Sequence, residues 1–425
     1  ISSTIIDGNQ NDIVVTINSG ENTSTLLSGF TIKKGLNTSQ SNGGGIYIGG
    51  ASPIISYCKI KDNLSTYQGG GIYISGGDAK IINCEIFSNT SSNSGGGIAI
   101  YGSSSNIEIS GSLIWNNTSS YGSSIYLALA NLTLLNSTFD GNTNNIGGGS
   151  IYLFNGGQLL LQNSIVSNTI NPNANGYGNV GFSSRWISIE HWTYTPIVTV
   201  ENSCVLNGEN GIGVTGNTLG LNDRFYGNSN LDIDPLFVDA TNGDYRLSNF
   251  SQCIGAGLDT SIVPIKDIDG NLRPNPAGSN PDMGAYENSL ATPLIYGCID
   301  SLAYNYDSTA DTDDGSCLYC NLSSSTFVVD ESAIGAFDGK ANLSVIGSDC
   351  SSDTTYLETP DTEDFESYNF GYWLQDPNND FDWSINIGST SSGQTGPSSA
   401  YQGIYYAYTE ASGSNYPYKE TTIYR

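Results

Sequence analysis

Positive charge is scarce in this chain. Its 425 residues carry 13 Lys and Arg against 41 Asp and Glu, a net charge of −28. Nucleic acid needs a stripe of cations to meet its phosphates, so the scarcity argues against such a partner. Long apolar runs are also missing, and no stretch reaches the roughly 18 residues of a membrane-spanning helix. There is no initiator Met and no signal-like start, so Ile1 is expected to be an internal or processed end. Zinc-type cysteine spacing is lacking as well: Cys317-Leu-Tyr-Cys320 has no second pair. Histidine occurs once, at His191.

What is present is glycine, asparagine, serine, tyrosine and isoleucine. With 52 Gly and 27 Tyr the chain is too rich in Tyr and Ile for disorder, and too rich in Gly, Asn and Ser for helices. Its length predicts two to four units. The strongest signal is a repeat. The first Ile of each "IYI"-like run falls at Ile46, Ile72, Ile98, Ile125 and Ile151, in steps of 26, 26, 27 and 26. An asparagine recurs at Asn37, Asn63, Asn89, Asn116, Asn142 and Asn168 with nearly the same step. A fixed period in this range signals a solenoid. Within each unit apolar residues alternate with period two (Ile72 and Ile74, then Ile82, Cys84 and Ile86), which is strand spacing.

Each unit therefore reads as one coil of strands, stacked on the next in parallel about 4.8 Å apart. One coil buries too little apolar surface to fold alone, so its neighbours must complete the core. The glycines fit sharp corners, and the asparagines predict a ladder of side chains running down the stack. These runs resemble the right-handed parallel β-helix of pectin-lyase-like and polymorphic outer-membrane repeats. The resemblance implies an all-β solenoid followed by small β modules. Outward Tyr47, Tyr73, Tyr126 and Tyr152 form a column broken at Ala99; stacking that stabilises a sheet face is the favoured reading, with a glycan platform as the alternative.

After Asn168 the next match places its asparagine at Asn207, which is 39 residues on and 13 more than one period. The extra stretch holds Arg185, Trp186, His191 and Trp192, a set able to bind sugar by stacking, although a hydrophobic flap is the blander reading. Catalysis on such a scaffold needs gathered carboxylates, or a base beside bound Ca²⁺. Here Glu85, Glu108 and Asp140 fall singly on different coils. The sequence therefore favours a non-catalytic adhesin or structural protein contacting extracellular glycans or surface proteins. A polysaccharide lyase or glycoside hydrolase using the Arg185–Trp192 flap is the alternative.

The segment "NLDIDPLFVDATNGDYRLSNFSQCIGAG" with "DIDGNLRPNPAGSNPDMGAYE" resembles the closing part of bacterial choice-of-anchor β-helix proteins, which are secreted or surface-attached. It is expected to cap an open strand edge. Further on, "GCIDSLAYNYDSTADTDDGSC" resembles a cysteine-bounded linker of large secreted Bacteroidota proteins. Residues Asp364-Phe365-Glu366, Asp382-Trp383, Thr395-Gly396-Pro397 and Tyr405 to Glu410 resemble the start of an adhesive MAM jelly roll. The expected organisation is a β-helix over 1–290, an acidic linker over 291–320, a small β module over 321–360 and an incomplete MAM-like domain over 361–425.

Eight cysteines fit an oxidising, extracellular setting. The expected pairs are Cys298 with Cys317, Cys320 with Cys350, and Cys204 with Cys253, while Cys58 and Cys84 stack in parallel as free thiols. Two acidic clusters are candidate Ca²⁺ sites: Asp307, Asp311, Asp313 and Asp314 in the linker, and Asp364, Glu366, Asp380 and Asp382 at the MAM-like start. Solvated surface charge is the competing reading for both.

Overall fold

The computed structural model describes residues 4–38, 42–146, 148–168, 170, 187–191, 194, 196–216 and 224–319. Beyond these it describes the backbone of the strands 323–329, 340–346, 374–375, 384–387, 405–408 and 423–424. The chain divides into two units, Ile1–Leu294 and Ile295–Arg425.

The first unit is a parallel β-solenoid. Three sheets of eight strands run its length, joined at one corner by a narrow sheet of five. Sheet A contains Lys59–Lys61, Glu85–Phe87, Leu113–Trp115 and Thr138–Asp140; the narrow sheet contains Leu64–Ser65 and Thr90–Ser91. Sheet B contains Ile72–Ser75, Ile98–Tyr101, Ile125–Ala128 and Ile151–Phe154, and sheet C contains Lys80–Ile82, Asn106–Ser110 and Asn131–Leu135. One coil visits A, the narrow sheet, B and C in that order. Register follows from the repeat: Ile72 lies between Ile46 and Ile98, and Ile74 between Ile48 and Ile100. Every second residue points inward, so like side chains stack in columns that water does not reach. Ile46, Ile72, Ile98, Ile125, Ile151 and Ile187 form one of them. Among the described residues the only helical turns are the short 3₁₀ segments Gly208–Gly211 and Ala240–Asn242.

The corners explain the composition. Gly69 has φ +67°, and a Cβ there would lie 2.6 Å from the Ile72 carbonyl oxygen, so only glycine closes the turn into sheet B. The corner after sheet A places Lys34, Asp62, Ser88, Asn116, Gly141 and Asn168 in the left-handed region. The next residue forms the ladder. Asn63 donates its backbone N–H (3.1 Å) and its Nδ2 (2.9 Å) to Asn89 Oδ1, Asn89 does the same to Asn117, and Asn117 to Asn142. Each Nδ2 also reaches a strand carbonyl, for example Ile60 O at 2.8 Å from Asn89. Every buried amide is thereby used twice.

The ladder corrects half of the expected column. Asn63, Asn89 and Asn142 belong to it, but Asn117 replaces Asn116, which is exposed at the corner. Leu36 pairs with Leu64, which puts Gly35 at the ladder level and Asn37 two residues past it. Gly35 donates its N–H to Asn63 Oδ1. Ile170 bridges Thr143, so Asn168 aligns with Gly141 at the corner rather than with Asn142. Coils of 26, 28 and 25 residues separate the ladder positions 63, 89, 117 and 142, and a fixed period cannot track such changes.

A second ladder went unpredicted. At the corner between sheets C and A, Cys84 N–H donates to Ser112 Oγ, Ser112 N–H to Ser137 Oγ, Ser137 N–H to Ser164 Oγ, and Ser164 N–H to Ser203 Oγ. Cys58 and Cys84 fill the first two rungs, both buried with free thiols.

The closing segment departs from the expected cap. Leu231 pairs with Cys204 at the last coil. The chain then turns back and lies as a strap along the outer face of sheet A. Asn163 Nδ2 donates to Leu258 O, Asn136 Nδ2 to Asp282 O and Asn83 Nδ2 to Lys266 O. These asparagines occupy left-handed corners, so one residue type both makes the turn and anchors the strap. The reason is compositional: sheet A turns Leu113, Ile165 and Cys204 outward, and Tyr245, Ile254, Ile268 and Met283 bury them.

In the second unit Cys298 is bonded to Cys317, with Cα atoms 4.8 Å apart. Tyr296–Gly297 and Thr312–Asp313 pair in parallel beside it. Ser323–Val329 and Lys340–Ile346 form an antiparallel pair, as do Ser384–Ile387 with Tyr405–Tyr408 and Leu374–Gln375 with Ile423–Tyr424.

Candidate functional site

Two outer faces of the solenoid carry the chemistry. On sheet B the outward positions form two rows. One reads Tyr47, Tyr73, Ala99, Tyr126 and Tyr152; the other reads Gly49, Ser75, Tyr101, Ala128 and Phe154. In the first four of these coils a large residue in one row faces a small one in the other, so the column is not broken at Ala99: Tyr101 crosses over and fills the gap, and in the fifth coil Tyr152 stacks on Phe154. Ring centroids step 5.7 Å from Tyr47 to Tyr73, 5.8 Å to Tyr101, 5.3 Å to Tyr126 and 5.6 Å to Tyr152. A Cβ at Gly49 would come within 2.9 Å of the Tyr47 ring, which explains the small residue there.

The ribbon covers itself. Tyr73, Tyr126 and Tyr152 are buried, and burial pushes the Tyr73 phenol up to about 12 and raises Tyr101 and Tyr126 as well. Gln68 Nε2 donates to the Tyr101 hydroxyl, and the Tyr152 hydroxyl donates to the Glu190 carboxylate. Ring faces are spent on neighbouring rings, which is the geometry of sheet stabilisation.

On sheet A Lys33, Lys61, Phe87 and Trp115 share one outward row, and Lys59 and Glu85 share another; the strap reaches this row at Trp115, which packs against Tyr245. Phe87 and Trp115 stack at 4.9 Å, Lys61 Nζ lies 5.2 Å from the Phe87 ring centre, and Trp115 Nε1 donates to Glu85 Oε1. Lys59 pairs with Glu85 at 2.6 Å, Lys61 with Asp62 at 3.1 Å, and Lys33 and Lys34 with Asp7 at 3.5 Å. Two cations are followed by two rings here, and each is already partnered. Further along the row Asp140, 4% exposed, accepts from Ser167 Oγ at 2.7 Å, and burial raises its carboxyl.

The residues expected to bind ligand are placed only in part. The segment around His191 is no flap: Ile187–His191 is a regular sheet B strand between Ile151–Phe154 and Ile212–Gly216, with Ile187 and Ile189 in the core. The alternation in "ISIEH" carried that information, and the extra length precedes the strand. His191 ends the strand; Arg185, Trp186 and Trp192 lie outside the described residues.

The linker carboxylates close their own turns. Asp307 accepts from Thr309 N–H and Oγ1, Asp313 from Gly315 N–H, Asp314 from Ser316 N–H, and Asp311 from Ile295 N–H. These hydrogen bonds hold Asp307 and Asp314 below the usual carboxylate range. Among the described residues no three His, Cys, Asp or Glu side chains gather as a metal would require. Asp364, Glu366, Asp380 and Asp382 lie outside the described residues, as do Cys320 and Cys350. Cys204 and Cys253, expected as a disulfide, are free thiols in hydrogen-bond contact; Cys204 Sγ instead donates to Ile233 O at 3.3 Å.

The comparisons bear on the solenoid. No curated protein and no solved structure matches the chain. The family described as "Right handed beta helix region" matches residues 1–185 and 44–233, which together span 233 of 425 residues. Stacked in-register coils and a family match over more than half of the sequence agree, and the chain belongs to the right-handed β-helix family.

Proposed function

We propose that this chain is a non-catalytic secreted or cell-surface protein, a stiff rod that contacts glycans or surface proteins. The observation that carries the reading is the state of the outer faces. Ring stacks, lysine–carboxylate pairs and the strap occupy sheets A and B from one side of the stack to the other. Such faces resist bending and shearing. The Cys298–Cys317 disulfide supports an oxidising compartment, where such bonds persist. Ligand contact then falls to Arg185, Trp186, His191 and Trp192, on the stacking and charge of these residue types. The MAM-like residues would supply adhesion behind the rod.

One observation favours an enzyme instead. Asp140 has the raised carboxyl of a general acid and lies near the Asp234 charge. It is buried under Tyr245, however, and would need the strap to move. Incubating the full chain with acidic and neutral polysaccharides separates the readings. Binding without new chain ends, weakened by Trp186→Ala and Trp192→Ala, supports the rod. Product that disappears in Asp140→Asn establishes the enzyme.

A further inference from the structure

The strap carries a charge cluster that the rod does not need for stacking. Arg273 and Glu287 form an ion pair of 2.6 Å with both side chains fully shielded from solvent. Arg273 Nη1 also donates to Asp282 O and Nη2 to Gly284 O, while its Nε is buried without a partner. Two more buried carboxylates belong to the same knot. Asp282 accepts the N–H groups of Gly255 and Asn288; Asp267 accepts those of Asn271 and Glu287. Glu287 in turn accepts the N–H groups of Asn275 and Asp282. One guanidinium thus faces three carboxylates out of water. Full ionisation would leave two uncompensated negative charges, a state that burial penalises heavily.

The knot is placed where it controls docking. The same residues make the strap's contacts with the solenoid: Asp282 O accepts from Asn136, Gly284 N–H donates to Asn163 O, and Ala285 N–H donates to Thr138 Oγ1. Sheet A meets the knot with neutral amides and a hydroxyl, Asn136, Asn163 and Thr138. The titratable groups nearest on the apolar side are the thiols of Cys204 and Cys253. No cation of the solenoid contacts the knot among the described residues.

We propose that the strap is a proton-controlled latch, closed over the outer face of sheet A while the buried Asp282–Glu287 pair beside Arg273 holds a proton, and loosened as that proton leaves. The carboxyl behaviour agrees. Burial, reinforced by Glu287, pushes Asp282 up to about 7, and burial raises Glu287 too. The sign follows. An opened strap would release Asp282 to its ordinary value of 3.8, so closing takes up a proton between these two values. The closed state is therefore strongest below pH 3.8, weakens steadily as pH rises toward about 7 and levels off above it. Opening uncovers Leu113, Ile165, Asp140 and the two thiols.

The thiols supply the readout. Cys253 lies on the strap and Cys204 beneath it, whereas Cys58 and Cys84 sit inside the solenoid as controls. The full chain is labelled with a methanethiosulfonate and each cysteine followed by peptide mass spectrometry. Each rate is divided by the rate for the same residue in urea at the same pH, which removes the reagent's own pH dependence. Protection of Cys253 and Cys204 should fall by about tenfold per pH unit or more between pH 5.5 and 7, tenfold being the slope for the Asp282 proton alone, to which Asp140, raised by burial and uncovered with it, adds. Cys58 and Cys84 should stay protected throughout, and Asp282→Asn should flatten the profile. A flat wild-type profile overturns the latch, as does loss of protection in step at all four cysteines, which would report global unfolding. An Asp282→Asn chain that cannot fold would expose Cys58 and Cys84, and the wild-type profile then decides alone.

Discussion

Sheets A and B are built from the same coils at the same rise, yet their outer faces are finished in opposite ways. Sheet B closes itself: alternating large and small residues let five tyrosines and Phe154 tile the surface. Sheet A turns Leu113, Ile165 and Cys204 outward and borrows a strap from later in the chain to bury them. The difference shows that the repeat dictates the interior of a solenoid and leaves each outer face a separate problem. A face covered by its own rows is local and fixed. A face covered by a remote segment can in principle be uncovered.

The largest effect should come from a change that breaks both faces at once. Ile98→Asp places an unpaired charge in the inward column and should destabilise the rod by more than about 4 kcal/mol, read as loss of the cooperative melt. Next in size, Tyr245→Ala should remove the strap's packing against Trp115 and cost about 3 kcal/mol. Its hydrogen-exchange signature should be confined to residues 231–290. Tyr101→Ala is the matching change on sheet B, with a similar cost but a signature confined to the neighbouring coils; Tyr101→Phe should lose only the hydroxyl's bonds with Gln68 and Tyr126, about 1–2 kcal/mol.

Asn89→Ala leaves the Asn63 N–H without its partner and takes one bond from the Ile60 carbonyl, and should cost about 2 kcal/mol, whereas Asn116→Ala at the exposed corner should stay within about 1 kcal/mol. The smallest effect is optical. The phenols of Tyr73, Tyr101 and Tyr126 are raised by burial, so in the folded state they stay protonated where unfolded tyrosine ionises. Stability should fall as pH rises from 10 to 12, and the tyrosinate absorbance of these three should grow only with unfolding.

The sequence was most informative where physics repeats. Inward Ile72, Ile74 and Ile86 and the glycine corner were legible because every coil must solve the same packing problem. The ladder was legible in kind but not in register. Asn116 fits the period better than its neighbour, with steps of 27 and 26 against 28 and 25, and only the hydrogen bonds select Asn117. Tyr101 was missed because the ribbon crosses between two outward rows, which a single column in sequence does not show. The serine ladder was missed because Ser112, Ser137, Ser164 and Ser203 look like ordinary polar turn residues until their hydroxyls are seen to accept from the coil before. The strap's position was illegible for a different reason. Its contacts reach back 95 to 183 residues, from Leu258 to Asn163 and from Lys266 to Asn83, and no local pattern encodes such a partner.

Native-state hydrogen exchange on the full chain tests the contrast between the two faces most directly. The account predicts that Gly255, Gly257, Met283 and Gly284, whose N–H groups are hydrogen-bonded in the strap, open at a lower free energy than the ladder amides of Asn63, Asn89 and Asn117. Sheet B amides beneath the ribbon should remain with the slow group. Strap and ladder amides exchanging at one common free energy would contradict it, since both faces would then belong to a single cooperative body.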